Sequence, residues 1–387
     1  MVKKGMIFSV LVVFLLTLCC SCKKTTERFS IHKDPQNFTE LFDSFWAEMN
    51  INYVYWDIDK TNWDAIHDQY KPKFDELDIH NSVDLKKSVS YFKEISKELI
   101  DGHYTILFSP EAISDFSVTP AIDRKRAESS FHEPYLFSMV DPHYLDEGYT
   151  TGNYLTNSKI EITATTGTIN KNILFFSCSG FELKEAVLKD NSNTLKTVIS
   201  RFFDEVENNI SKYRGIIIDL RNNQGGGLSD LNYFLSHLTH DPINFGDTRY
   251  KAGNGRLQFT PWISAQTIPG LLKSNLSTPL IVLVDNYTIS LAEVIAMALR
   301  TQKNVKLVGE TTFGATGPLT DNIVYNAGQF DVGGFCKVYT SSATYRYIDK
   351  VIYESKGFPP DIKLTITPFD FNNGKDAQLE KAINIIN

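Results

Sequence analysis

Several things are scarce in this 387-residue chain, and each scarcity removes a class of function. Basic residues are outnumbered, 39 Lys and Arg against 46 Asp and Glu, and they form no long block. A net charge of −7 therefore argues against a nucleic-acid binder, whose affinity comes from neutralising phosphates. Glycine and proline, 22 and 14 residues, are too few for a collagen-like or low-complexity chain. Only five cysteines are present; Cys178 and Cys336, the two beyond the N-terminal cluster, stand 158 positions apart with no C-x-x-C, and no H-E-x-x-H spacing occurs, so no metal or cofactor is expected. The apolar run at residues 6–18 falls short of the ~20 residues that a spanning helix needs. No repeat recurs at a period of 20–50 residues. What remains is ordinary globular composition, 42% hydrophobic, with material for two domains.

The N-terminus reads as a targeting segment: Lys3 and Lys4 precede the thirteen-residue apolar stretch. The following Leu18-Cys19-Cys20-Ser21-Cys22 resembles the lipobox of bacterial lipoproteins. That resemblance implies a signal peptide over residues 1–22 and lipidation of Cys22, which follows the small Ser21; Cys19 and Cys20 are the alternatives. The mature chain would sit at the cell envelope, anchored to the membrane and facing periplasm or exterior, with its net charge deepened from −7 to −9 by loss of the two lysines. Its other cysteines, Cys178 and Cys336, are expected as buried thiols, with a disulfide as the alternative.

Residues 23–37 are polar and aperiodic and read as a tether. From Phe38, apolar residues recur at three- and four-residue steps, first through Leu41, Phe42, Phe45 and Trp46 and again from Leu85 to Leu99, which gives a small helical N-terminal domain over 38–108. Residues 109–172 form a connecting region with no clear assignment, containing the charged run 123–126. The final part, 173–387, alternates strands at 173–177, 215–220, 280–285 and 306–309 with helices at 194–209, 229–238 and 290–301. Such alternation predicts an α/β domain with a mostly parallel sheet covered by helices.

Three short segments carry chemistry. The strand 215–220 runs into Arg221-Asn222-Asn223-Gln224-Gly225-Gly226-Gly227, where glycines expose backbone N–H groups to an anion. No Lys-Ser/Thr follows, which disfavours a phosphate-binding P-loop and leaves an oxyanion or a plain turn. The strand 280–285 leads to Ser290 at the mouth of a helix, where the helix dipole favours negative charge. The same Ser290-x-x-Glu293 pattern is also a capping box. Of eight histidines, His103 stands at the junction between the helical domain and the strand 104–108, where clefts form.

In this order, Asp101-Gly102-His103, Asp219-Leu220-Arg221-Asn222-Asn223-Gln224-Gly225-Gly226, Ser290, Gly309-Glu310-Thr311-Thr312-Phe313-Gly314, Gly357-Phe358-Pro359-Pro360-Asp361 and Lys375-Asp376-Ala377-Gln378-Leu379 resemble the tail-specific or C-terminal processing serine peptidases, in particular the branch of the tricorn core and the interphotoreceptor retinoid-binding repeats. The resemblance implies a crotonase/ClpP-like catalytic domain and a serine endopeptidase acting on protein or peptide substrates. Ser290 is the implied nucleophile, His103 the base and Glu354 the orienting acid, with Gly225, Gly226 and Leu291 offering N–H groups to the oxyanion. Ala315 replaces the lysine base of the processing-protease branch, and no Gly-Leu-Gly-Phe-like PDZ loop is recognisable. A non-catalytic binding lipoprotein and an esterase with the same triad are the alternatives.

Overall fold

The computed structural model describes residues 35–189, 193–319 and 328–387, which lie in one compact unit. The proposed signal peptide, Cys22 and most of the tether lie outside the described residues. Among the described residues no helix is long and apolar enough to cross a membrane.

Three helices open the fold: α1 (Phe38–Asn52), α2 (Trp63–Asp75) and α3 (Ser82–Ser96). Asparagine side chains start all three, Asn37, Asn62 and Asn81 each accepting a first-turn N–H. Their buried faces, including Phe38, Phe42, Phe45, Phe74 and Phe92, meet in one aromatic core. Each such ring contributes roughly 1.5–3 kcal/mol on burial. The strands β1 (Thr105–Phe108) and β2 (Ser117–Val118) and the helix α4 (Pro120–Ala127) follow. The charged run at 123–126 is thus helical rather than a loop, and Lys125 is buried beside Glu128.

The central sheet uses β3 (Thr150–Leu155), β4 (Glu161–Ile169) and β5 (Ile173–Cys178), then, after α5 (Leu183–Leu188) and α6 (Leu195–Asn209), β6 (Gly215–Asp219). After α7 (Ser229–Ser236), β7 (Asn244–Tyr250) and β8 (Ile263–Gln266) come β9 (Leu280–Val284), α8 (Leu291–Arg300) and β10 (Val305–Gly309). The chain ends with β11 (Phe330–Val332), β12 (Cys336–Tyr339), β13 (Ala343–Tyr347), β14 (Ile362–Lys363), α9 (Pro368–Asn372) and α10 (Ala377–Ile386). Seven strands align in the order β14-β10-β9-β6-β5-β4-β3; the first five are parallel, and β4 and β3 add an antiparallel edge.

Alternate residues of these strands face two cores, as the period of two requires. Ile216, Ile218 and Val282 pack towards α6 and α8, whereas Ile217, Ile281 and Leu283 pack towards α10. Four predicted strands, β5, β6, β9 and β10, and three predicted helices, α6, α7 and α8, stand where the sequence puts them. Residues 150–169, which the sequence leaves unassigned, supply the edge hairpin of the main sheet. A second sheet, β11-β12-β1-β2, joins distant parts of the chain: β1 pairs antiparallel with β12, Thr105 opposite Tyr339.

Candidate active site

Parallel strands deliver their following loops to one edge of the sheet, where α/β folds place their sites. Here the loops after β6, β9 and β10 meet. Asp285 Oδ1 accepts Asn222 N–H at 3.0 Å, Thr288 Oγ1 donates to Leu220 O at 2.9 Å, and Ile289 N–H donates to Asn223 O at 2.9 Å. These bonds fix Ser290, which sits just before α8 with φ 59° and ψ −123°, a conformation that side chains rarely adopt. Such strain costs on the order of 1–3 kcal/mol and holds only where the surroundings over-determine it.

His103 reaches this serine from the other part of the chain. Its Nε2 lies 3.0 Å from Ser290 Oγ, across 187 positions of sequence. Enclosure of the ring pushes its pKa down to about 4, so the imidazole is neutral at pH 7 and can accept a proton. Its Nδ1 is buried with no hydrogen-bond partner.

Glu354 is buried, only 2% exposed. Its Oε1 accepts Gly102 N–H at 2.6 Å, and its Oε2 accepts Thr316 N–H at 2.7 Å, Thr316 Oγ1–H at 3.0 Å and Gly317 N–H at 2.8 Å. Burial, reinforced by the neighbouring Asp101, raises its pKa to about 8. Glu354 thus lies beside His103 without bonding to it directly.

The glycine loop fits closely against the serine. A side chain at Gly225, which has φ +83°, would come within 2.8 Å of Ser290 Cβ and Leu291 N. Gly225 N–H donates to Asn223 Oδ1 at 2.9 Å, so of the three expected oxyanion donors this one is already engaged. Gly226 forms an isolated bridge with Phe181 beside it, and Leu291 N begins the helix after Ser290.

Sequence reasoning treated Glu293 only as a possible cap. Its Oε2 does accept Ser290 N–H at 3.0 Å, but the fully buried carboxylate also accepts Thr312 Oγ1–H at 2.6 Å, Gly314 N–H at 2.7 Å and Ala315 N–H at 2.8 Å. Asp101, quoted only as part of a motif, is fully buried and accepts His103 N–H at 2.9 Å. Arg221 explains another motif: it bonds both Asp219 and Asp376, and Asp376 caps α10. Cys178 and Cys336 are free buried thiols.

Asp101, His103 and Glu354 each bring one potential metal-ligating atom within 4.8 Å of the others. All four carboxylate oxygens of that trio already accept N–H or O–H groups, an arrangement suited to holding backbone rather than an ion.

With this geometry in view, the comparisons are specific. Residues 185–364 match the model of peptidase family S41, and residues 34–80 match the tricorn protease C1 domain. The chain carries an S41 peptidase domain. Among curated relatives, the carboxy-terminal processing protease CtpA of Bacillus subtilis is 27% identical over 211 residues, 54% of this chain and 41% of that protein. The nisin-resistance protein of Lactococcus lactis is 26% identical over 220 residues, 55% of this chain and 60% of that protein. The chain therefore spans about half the length of the curated relatives it matches. Among solved structures, a Parabacteroides merdae protein classed as a peptidase superposes with a TM-score of 0.67 at 19% identity, covering 91% of this chain and 97% of that one. Mature CPAF, in its complex with lactacystin, gives 0.57 at 12% identity over 90% and 97%; both likenesses concern the fold. The S41 match includes Ser290 and Glu354 but stops short of His103, which lies between the two matched segments.

Proposed function

We propose that this protein is a serine endopeptidase that cleaves peptide bonds through an acyl-enzyme. The observation that carries the reading is the 3.0 Å approach of His103 Nε2 to Ser290 Oγ at the mouth of α8. In the first step Ser290 Oγ attacks the substrate carbonyl carbon while His103 Nε2 takes the hydroxyl proton. The oxyanion that forms lies towards the N-terminus of α8 and the Gly226 and Leu291 N–H groups, where the helix dipole adds to the donors. The imidazolium then returns its proton to the departing amine, leaving the acyl group on Ser290. A water molecule, deprotonated by the same nitrogen, releases the acid and restores the serine. Glu354 is the acid that steadies the imidazolium during both steps.

The chain would act at the bacterial cell envelope, anchored by lipid on Cys22, as the lipobox-like segment suggests. Protein or peptide is the substrate class, and S41 membership of the domain supports it. Fluorophosphonate labelling of the full chain in detergent tests the site. Wild type should label, and Ser290→Ala and His103→Ala should not; equal labelling of wild type and Ser290→Ala would remove the nucleophile assignment. Mass spectrometry of the N-terminal peptide should find diacylglycerol on Cys22 and none in Cys22→Ala.

A further inference from the structure

The proposed hydrolysis draws backbone donors from the glycine loop, and two neighbouring glycines stand differently there. Gly225 is buried, whereas Gly226 is exposed beside a cavity of about 340 Å³. Asn223, itself fully buried, separates their roles. Its Oδ1 accepts Gly225 N–H at 2.9 Å, and its Nδ2 donates to the carbonyl of Cys178, the last residue of β5, at 2.8 Å and lies 3.2 Å from Cys178 Sγ. Reversing the amide would set Nδ2 against the Gly225 donor and Oδ1 against the Cys178 carbonyl, so the neighbours fix its orientation. The Asn223 main chain donates to Leu220 O at 3.3 Å and accepts Ile289 N–H at 2.9 Å. One residue thus joins the end of β5, the loop after β6 and the loop that leads to Ser290.

A bond from an asparagine side chain to the N–H two residues on is common in turns and by itself shapes only the turn. The reach to Cys178, 45 positions away, and to Ile289 goes beyond what a turn requires. The next peptide is held from its other side. Gly225 O accepts Phe181 N–H at 2.7 Å, and Gly227 N–H donates to Phe181 O at 2.8 Å. In a trans peptide the C=O and the following N–H point in opposite directions, so Gly226 N–H is turned away from Phe181. Among the described residues no acceptor takes Gly226 N–H or Leu291 N–H. Consecutive glycines have wide backbone freedom, and a fixed donor direction within them needs such tethers.

We propose that Asn223 is a positioning residue for the reaction: it keeps Gly225 N–H out of the site and sets the following peptide so that Gly226 N–H, together with Leu291 N–H, meets the oxyanion. This rests on the Ser290 and His103 assignments above. Asn223 touches no reacting atom and moves no proton. Its removal would leave Gly225 N–H and Cys178 O without partners and the peptide between Gln224 and Gly225 free to turn. The donor direction at Gly226 would then be lost, although Ser290 and His103 would keep their approach.

The test is the concentration dependence of fluorophosphonate labelling of the full chain in detergent, in which the phosphoryl oxygen takes the place of the oxyanion. The limiting rate, kinact, reports stabilisation of that oxygen, and KI reports the binding before it. In Asn223→Ala, kinact should fall by at least about tenfold while KI stays within about twofold of wild type. A loss carried by KI, or a lower unfolding midpoint with kinact kept, would make Asn223 merely structural and overturn the proposal. A faster kinact would show the freed Gly225 N–H serving the oxyanion, which overturns it as well. If Asn223→Ala does not fold, the amide spectrum of wild type labelled with 15N-glycine and 15N-leucine decides. On phosphonylation the Gly226 and Leu291 N–H protons should move downfield and the Gly225 proton should stay; a Gly225 proton that moves with them overturns the proposal. Wild type that never labels would overturn the Ser290 assignment and this inference with it, whereas labelled wild type with an equally fast Asn223→Ala would overturn the inference alone.

Discussion

Glu293 and Glu354 grip one short loop from its two ends. Residues 312–315 donate to Glu293 through Thr312, Gly314 and Ala315, and residues 316–317 donate to Glu354 through Thr316 and Gly317. Glu293 also takes Ser290 N–H, and Glu354 takes Gly102 N–H beside His103. The loop thus fixes serine and histidine against each other although neither touches it through its reactive atom.

Glu293→Gln tests this clamp. An amide would present N–H groups to some of the four donors that the carboxylate now accepts, leaving buried groups unpaired at about 1–3 kcal/mol each. We expect a loss of at least 2 kcal/mol in urea-determined stability and a fall in fluorophosphonate labelling rate. Thr312→Val removes one of these donors and also the acceptor of Phe358 N–H, and should lose a comparable amount.

Gly102 lies where no side chain fits: a Cβ there would come within 2.5 Å of Ala315 Cβ and 2.7 Å of Ala315 Cα. Gly102→Ala must therefore shift His103 or the loop. A displacement near 1 Å costs about a hundredfold when it misaligns reacting groups. The labelling rate should fall by at least about tenfold, with far-ultraviolet circular dichroism unchanged; an unchanged rate would show that the loop yields instead.

The backbone at Ser290 predicts a stability difference between two inactive variants. Glycine adopts φ 59° without the steric cost that any side chain bears there. Ser290→Gly should therefore unfold at higher urea than Ser290→Ala, by about 1 kcal/mol, with both variants unlabelled by fluorophosphonate.

Stability should also fall as pH rises from about 6.5 to 8.5. Glu354 has a folded-state pKa raised to about 8, so in this window the folded chain binds a proton that the unfolded chain has already lost. Stabilisation by the protonated acid is complete below the ordinary carboxylate range and disappears as pH climbs through about 8. His103, lowered to about 4, acts in the opposite direction but only below its ordinary value near 6.5. Urea midpoints at pH 6.5 and 8.5 should differ in wild type and converge in Glu354→Gln; a wild-type midpoint that rises with pH would contradict the assignment.

The sheet was legible because buried parallel strands such as Ile216-Ile217-Ile218 are continuous apolar runs with few other uses. The helices α1 and α3 were legible from their apolar spacing. The hairpin at 150–169 was not, because Thr-rich strands such as Glu161–Ile169 show weak alternation and lie among turn residues. Ser290, His103 and Glu354 could be named through a resemblance, yet spacing alone left Ser290 a possible helix cap and did not single out Glu354. The roles of Asp101 and Glu293 depend on bonds to residues 341 and 312–315, and no local pattern encodes a partner that far along the chain.

The pairing of β1 with β12 bears on when this site comes into being. The aromatic core around α1 and α3 also takes in Phe330, Val332, Phe335, Cys336 and Val338. A ribosome that has finished α8 has already made the serine, but the strand that follows His103 still lacks its neighbour, and Ser341 has not yet arrived to meet Asp101. The surroundings of His103 are therefore completed only when residues 336–341 have joined the fold, long after the segment that carries Ser290 has been made.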